Sequence, residues 1–129
     1  MGGKLILIVE DQPLNRKLVR DVLQAKGYRT VESGSGEDGV RASIEQRPDL
    51  ILMDIRLPGI SGIEALKQLR RNPVTRTIPV IAVTASAMRQ NRAEIIAAGF
   101  DGYLAKPIEI VAFLETVREA LEGQSRIVG

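Results

Sequence analysis

A carboxylate, a hydroxyl group or an amine follows each of four short apolar segments in this sequence. Leu50–Met53, for example, stops at Asp54, and the turn residues Pro58 and Gly59 come soon after it. Apolar segments of this length are typical of buried parallel strands, and open α/β sheets bind ligands at the carboxyl ends of their strands. The polar residues delivered to that edge would be Glu10, Asp11, Asp54, Thr84 and Lys106.

Each of these residues, taken alone, has a simpler explanation. Asp54 could cap the following turn, and Glu10 with Asp11 could cap the first helix, because acidic residues are favoured at such positions. Thr84 could be an ordinary strand residue, and Lys106 could be a solvated side chain. Their coincidence at one edge of a sheet favours a functional site over five separate local roles.

The chemistry that these groups permit is phosphoryl transfer assisted by a divalent cation. Clustered carboxylates repel one another, and a cation such as Mg²⁺, which prefers oxygen ligands, removes that repulsion. Asp54 beside Mg²⁺ and Lys106 could then attack a phosphoryl group and form an aspartyl phosphate. Because catalysis of this reaction is mostly positioning and charge stabilisation, Lys106 would neutralise phosphoryl oxygens while Thr84 donates a hydrogen bond.

The composition excludes several other kinds of site. The chain contains no cysteine and no histidine, which excludes thiol chemistry, disulfides, Cys/His zinc sites and a histidine base. Its formal net charge is +2, without the dense basic stripe that is usual in nucleic-acid binding. No apolar segment is long enough for a membrane span or a signal peptide, so we expect a cytoplasmic protein that binds neither nucleic acid nor membrane.

Apolar periodicity predicts strands that alternate with helices along the whole chain. Such alternation is typical of one parallel sheet with right-handed crossovers and helices on both faces. We therefore predict a single domain over residues 1–129, with a core from about 4 to 122 and a short flexible C-terminal tail. Thr75–Ile78 is predicted to be an exposed loop. The predicted strands are Lys4–Val9, Tyr28–Val31, Leu50–Asp54, Pro79–Val83 and Gly102–Ala105.

Four motifs follow one another along the chain: Glu10-Asp11, Asp54 with Leu57-Pro58-Gly59, Thr84-Ala85, and Tyr103 followed by Lys106-Pro107. In their joint order and spacing they resemble the receiver domains of two-component response regulators. The resemblance extends from Lys4 to about Glu122. Residues 7–12 and 113–116 further resemble a single-domain member of that family that regulates cell division.

The resemblance implies a flavodoxin-like α/β fold whose five parallel strands lie in the order 2-1-3-4-5. It implies that Asp54 is the phosphoacceptor. Asp11, Asp54 and the backbone carbonyl of Arg56 would bind Mg²⁺, for which Mn²⁺ could substitute. Many receivers have Asp at the position of Glu10, and the longer side chain here predicts contact with the metal through water. No organic cofactor is implied.

The same resemblance implies roles for the other residues of this edge. Lys106 would pair with the phosphoryl group, and its peptide bond to Pro107 would be cis. Thr84 and Tyr103 would be the switch residues that respond to phosphorylation. Without the resemblance, Tyr103 is better explained as an ordinary strand residue at the edge of the core, and only its place three residues before Lys106 suggests more.

The partners implied by the resemblance are proteins. A sensor histidine kinase or a histidine phosphotransfer protein would supply the phosphoryl group. Because the chain ends just after the fifth helix, we expect no output domain, and a signal that leaves through a downstream protein or a phosphorelay. The expected contact surface is the face of helix 4, strand 5 and helix 5, with Arg89, Arg92 and Tyr103 as candidate contacts. Activity beyond self-catalysed phosphorylation and dephosphorylation is not expected.

Three alternatives remain open at this point. A haloacid-dehalogenase-like phosphatase usually has its nucleophile after the first strand and a second Asp two residues later, whereas Asp54 follows the third strand and Arg56 stands two residues on. A nucleotide- or flavin-binding module would need a glycine-rich loop where this chain has Glu10 and Asp11. A degenerate receiver that only binds partners would not need the complete acidic set with Lys106. Turnover of a small phosphate ester would distinguish the first alternative.

Overall fold

Five parallel strands form one sheet in the computed structural model, which describes residues 3–85 and 89–123, without the side chains of residues 89–92. The strand order is β2-β1-β3-β4-β5, as expected, so that β2 and β5 form the two edges. The strands are β1 (Leu5–Val9), β2 (Arg29–Ser33), β3 (Leu50–Asp54), β4 (Val80–Thr84) and β5 (Gly102–Ala105).

A helix follows every strand, which confirms the alternating pattern and the flavodoxin-like architecture. The tail predicted beyond residue 123 lies outside the described residues. The helices are α1 (Pro13–Ala25), α2 (Gly36–Gln46), α3 (Gly62–Arg71), α4 (Arg89–Ala98) and α5 (Ile110–Leu121).

The two faces of the sheet are covered by different helices because successive side chains of a strand point to opposite faces. Leu7 and Val9 of β1 pack in the core cluster that contains residues of α3 and α4. Ile6 and Ile8 pack in the cluster that contains residues of α1 and α5. The central strands β1 and β3 are therefore buried on both faces, which explains their uninterrupted apolar sequences.

Two details of the predicted elements were wrong. Strand β2 was predicted over Tyr28–Val31 but extends over Arg29–Ser33. Its polar end was not recognised, because an edge strand pairs on one side only and its exposed positions can be polar. The segment Thr75–Ile78 is an exposed loop only in part, since Arg76 and Thr77 are exposed whereas Thr75 and Ile78 are 0% and 8% exposed. The Thr75 hydroxyl donates to the carbonyl of Leu69 at 2.7 Å, which satisfies the end of α3, and Ile78 packs in the core.

Candidate functional site

The registers of the parallel strands bring the predicted polar residues together. Met53 of β3 lies beside Val9 of β1, so Asp54 and Glu10 follow at the same level of the sheet. On the other side, Thr84 of β4 pairs with Ala105 of β5, one residue before Lys106. The expectation that separate strands deliver these residues to one edge is therefore met by the backbone alone.

Lys106 joins two of the three carboxylates of this edge. Its Nζ lies 2.6 Å from Glu10 Oε1 and 3.0 Å from Asp54 Oδ2. Only 15% of the Lys106 side chain and 6% of each carboxylate side chain is exposed. An amine shielded in this way between two carboxylates forms charge-assisted hydrogen bonds that water weakens little.

Burial and pairing shift the pKa values of this pair. Burial raises the pKa of Glu10 above its ordinary value of 4.5, although hydrogen bonds from Lys106 and the Gln12 N–H act against it. Burial lowers the pKa of Lys106, but the hydrogen bonds to Glu10 and Asp54 outweigh it and leave that pKa raised above 10.5. Lys106 is therefore a cation at neutral pH.

The three carboxylates are close enough to share one cation. Each of Glu10, Asp11 and Asp54 offers an oxygen that lies within 4.8 Å of the others. Glu10 Oε2 also accepts a hydrogen bond from the Gln12 N–H at 3.1 Å, so both of its oxygens have protein partners. A donor set made only of oxygen atoms fits a hard cation such as Mg²⁺.

The loop after Asp54 is folded back against the strand that carries it. The Arg56 N–H donates to Asp54 Oδ1 at 3.0 Å, and the Gly62 N–H donates to the Ile55 carbonyl at 2.9 Å. A Cβ atom at Gly62 would lie 2.3 Å from the carbonyl oxygen of Asp54. Only glycine therefore allows α3 to begin this close to the end of β3.

Two residues near the site were missed by the sequence analysis. Glu37, in the first turn of α2, accepts from the Ile60 N–H at 3.2 Å and so ties the loop after Asp54 to a second helix. Arg16, in the first turns of α1, donates from Nη1 to the Glu10 carbonyl at 3.0 Å. Acidic residues are ordinary in a first helical turn, so nothing in the sequence marks Glu37 as part of the site. An arginine six residues after Glu10 is only a weak indication of a contact with it.

The predicted switch residues lie on neighbouring strands. Thr84 ends β4 and is 2% exposed. Tyr103, in β5, is partly buried and packs against the core cluster that contains Ile95 of α4. The bond between Lys106 and Pro107 is cis, as expected. The side chains of the other candidate contacts, Arg89 and Arg92, lie outside the described part of the chain.

Comparison with known proteins identifies the family. Residues 6–118 match the family model of the response regulator receiver domain. The chain is 46% identical over 118 residues to the polar-differentiation response regulator DivK of Brucella anthropi, which covers 92% of this chain and 96% of that protein.

Solved structures agree. The receiver domain of a sensor histidine kinase from Pseudomonas aeruginosa, which contains a magnesium ion in its active-site cleft, superposes with a TM-score of 0.87. It is 36% identical, over 93% of this chain and 98% of that domain. A response regulator receiver domain protein from Methanospirillum hungatei gives a TM-score of 0.86 at 29% identity, over 95% of this chain and 96% of that one.

No helix in the described residues has the length and apolar character needed to cross a membrane.

The matched motifs, the strand order and the acidic edge are all those of one class of signalling protein. The chain belongs to the response regulator receiver domain family.

Proposed function

We propose that this chain is a phosphorylation-switched regulator whose receiver domain accepts a phosphoryl group on Asp54. The donor is a phosphohistidine of a sensor histidine kinase or of a histidine phosphotransfer protein, and the reaction takes place in the cytoplasm. The observation that carries the proposal is the position of Lys106, whose amine contacts Asp54 at 3.0 Å within a cluster of three carboxylates. A carboxylate nucleophile with a fixed cation beside it is suited to accept a phosphoryl group.

The transfer step uses groups of this chain at stated atoms. A carboxylate oxygen of Asp54 attacks phosphorus, the P–N bond to the donor histidine breaks, and the histidine nitrogen keeps the electron pair. The Lys106 amine already lies next to Asp54 Oδ2, so it can pair with the phosphoryl oxygens as they approach. The Thr84 hydroxyl, at the end of the adjacent strand, would donate to one phosphoryl oxygen.

Asp11, Asp54 and the carbonyl of Arg56 would hold Mg²⁺ or Mn²⁺. The bound ion would neutralise negative charge on the carboxylates and on the incoming phosphoryl group. Glu10 would take part through water, because its two oxygens already accept from Lys106 and from the Gln12 N–H. Because Asp11 would bind the ion directly and Glu10 only through water, loss of Asp11 should weaken metal binding more than loss of Glu10.

The test of the acceptor is intact mass after incubation with acetyl phosphate and Mg²⁺. We expect one phosphoryl group per wild-type chain and none in Asp54→Asn, which keeps the shape of the side chain but is a poor nucleophile. Asp38→Asn is the matched control, because Asp38 is an exposed acid of α2 that pairs with Arg41. Equal mass gains in wild type and Asp54→Asn would contradict the assignment.

Output would leave through the face formed by α4, β5 and α5, which includes Tyr103. Phosphorylation would draw the Thr84 hydroxyl toward Asp54, and Tyr103 would turn into the space that it leaves. Thr84 and Tyr103 lie on the strands that precede and follow α4, so a change at these two residues would shift that helix.

This coupling predicts a change in hydrogen exchange. Beryllofluoride with Mg²⁺, which mimics the phosphoryl group, should alter the exchange of α4 amides at least about threefold in wild type but not in Thr84→Ala. Both proteins should still be phosphorylated by acetyl phosphate. An α4 response that persists in Thr84→Ala would remove this residue from the coupling.

The hydrolase alternative receives less support. The family match and the position of the nucleophile at the end of β3 both favour a phosphoacceptor over an enzyme that turns over phosphate esters. We expect no sustained turnover of p-nitrophenyl phosphate with Mg²⁺. Release of many equivalents of p-nitrophenol, abolished by Asp54→Asn, would instead support an enzyme.

A further inference from the structure

Arg16, a half-buried residue of α1, makes two side-chain contacts at the acidic edge. Its Nη1 donates to the backbone carbonyl of Glu10 at 3.0 Å, and its Nε donates to Glu32 Oε1 on β2 at 3.1 Å. The guanidinium therefore connects three elements, namely the end of β1, helix α1 and edge strand β2. Such a fork is specific to arginine, because lysine has a single nitrogen at its tip.

The Glu10 carbonyl lies just beyond the paired part of β1. The Glu10 N–H still donates to the Ser33 carbonyl at 3.0 Å, in continuation of the ladder between β1 and β2. Beyond this point the two strands diverge into α1 and α2. Arg16 Nη1 thus donates to a carbonyl at the place where the ladder ends.

Asp11 lies between Glu10 and Gln12, whose backbone N–H and carbonyl groups are all hydrogen-bonded. On one side, Glu10 is fixed through its N–H and its carbonyl. On the other side, the Gln12 N–H donates to Glu10 Oε2, and the Gln12 carbonyl accepts from the Arg16 N–H at 3.0 Å. Backbone and side chain of Arg16 therefore both restrain the short turn that carries the acids.

We propose that Arg16 is a positioning residue of the metal site, which holds Glu10 and Asp11 in the geometry that binds a divalent cation. This proposal rests on the proposed function, since it concerns the same metal site. Residues that orient metal ligands without touching the metal typically change affinity by about 10–100-fold when they are removed.

Charge and positioning predict opposite signs for the loss of Arg16. A guanidinium bonded to the Glu10 carbonyl would repel a cation that enters the acidic edge, so its removal would tighten Mg²⁺ binding if charge alone mattered. If Arg16 acts by positioning, its removal weakens binding in spite of the favourable change in charge. The direction of the change therefore separates the two roles.

Arg20 provides a matched control on the same helix. Its Nη1 donates to Glu32 Oε2 at 3.1 Å, so it shares the acidic partner of Arg16, and its Nε contacts Asp21 on the same helix rather than the Glu10 carbonyl. Arg16→Met and Arg20→Met each remove one positive charge and one ion pair with Glu32. Arg16→Met also removes the bond to the Glu10 carbonyl, whereas Arg20→Met also removes an exposed contact with Asp21.

The experiment is calorimetric titration of Mg²⁺ into folded protein at fixed pH and ionic strength. We expect the Kd to rise about tenfold in Arg16→Met and to change less than about twofold in Arg20→Met. Arg16→Lys keeps the charge but not the fork, and its Kd should rise about threefold or more. Thermal unfolding of every variant ensures that the titrations are made on folded protein, and Arg16→Lys decides the question if Arg16→Met does not fold.

Asp11→Asn separates failure of this proposal from failure of the proposed function. If Asp11→Asn weakens Mg²⁺ binding while Arg16→Met and Arg16→Lys bind as tightly as wild type or more tightly, the positioning role is overturned and the metal site stands. If Asp11→Asn leaves the Kd unchanged, the metal site is misplaced, and the role of Arg16 is overturned with it. Weakening in Asp11→Asn and in both Arg16 variants, but not in Arg20→Met, supports the proposal.

Discussion

Helices α3 and α4 have the same length and lie on the same face of the sheet, but the protein anchors them to different degrees. Helix α3 buries Ala65, Leu66 and Leu69, and the Ser61 hydroxyl caps its first turn by accepting from the Glu64 N–H. Among the described side chains of α4, Ile95 is buried, whereas Ile96 is 55% exposed.

The charged residues at the helix ends add to the difference in anchoring between α3 and α4. The last turn of α3 contains Arg70 and Arg71, which favour the negative end of the helix dipole. The first turn of α4 begins with Arg89 and contains no acid, so its charge opposes the dipole. From this difference we expect α3 to be the firmer support beside Asp54 and α4 to be the helix that a local change shifts more easily.

The largest expected effect is on the packing of α3. Leu66→Ala leaves a cavity in the core and should lower the free energy of unfolding by about 3 kcal/mol. Ile96→Ala in α4 removes an exposed side chain and should change it by less than about 0.5 kcal/mol. Urea unfolding measures both, and similar losses in the two variants would mean that α4 is packed as firmly as α3.

The next effect is on local opening. Amide protons in the middle of α4 should exchange at least about tenfold faster than those of α3, because Ile95 is the buried side chain among those described for residues 93–98 of α4. Hydrogen exchange of the unphosphorylated protein, read residue by residue, gives this ratio. Equal protection of the two helices would contradict the comparison from which the switching role of α4 is argued.

The smallest effect comes from reversing the unfavourable charge pattern. Gln90→Glu places an acid in the first turn of α4 and should stabilise that helix by about 0.3–1 kcal/mol, with slower exchange of its amides. Gln68→Glu makes the same chemical change in the second half of α3, where no gain is expected. A gain in Gln68→Glu as large as that in Gln90→Glu would show that the helix dipole is not the cause.

The sequence was informative where one interaction dominates. The apolar strands β1, β3 and β4 had to be buried, and the parallel direction of β3, β4 and β5 brought Asp54, Thr84 and Lys106 to one edge. The strand order came only from the family resemblance, because periodicity does not say which strands are neighbours.

Features that depend on tertiary contacts could not be predicted in this way. Thr75 looks like a loop residue in the sequence, and its burial follows from the hydrogen bond with the Leu69 carbonyl. Leu14 shares the helical spacing of the other apolar residues of α1, but it is 82% exposed while Leu23 is buried. The contacts of Arg16 with Glu32 and of Glu37 with Ile60 join elements whose separation no local pattern reveals.

The edges of the sheet also bear on aggregation. An exposed edge strand is a template for pairing with another chain, and charge or shortness makes it a poor one. Edge strand β2 carries exposed Arg29 and Glu32, and edge strand β5 has four residues. Because β5 contacts α4, the shortness of β5 would matter most if α4 opened. Opening of α4 would therefore not offer neighbouring molecules a long strand to pair with.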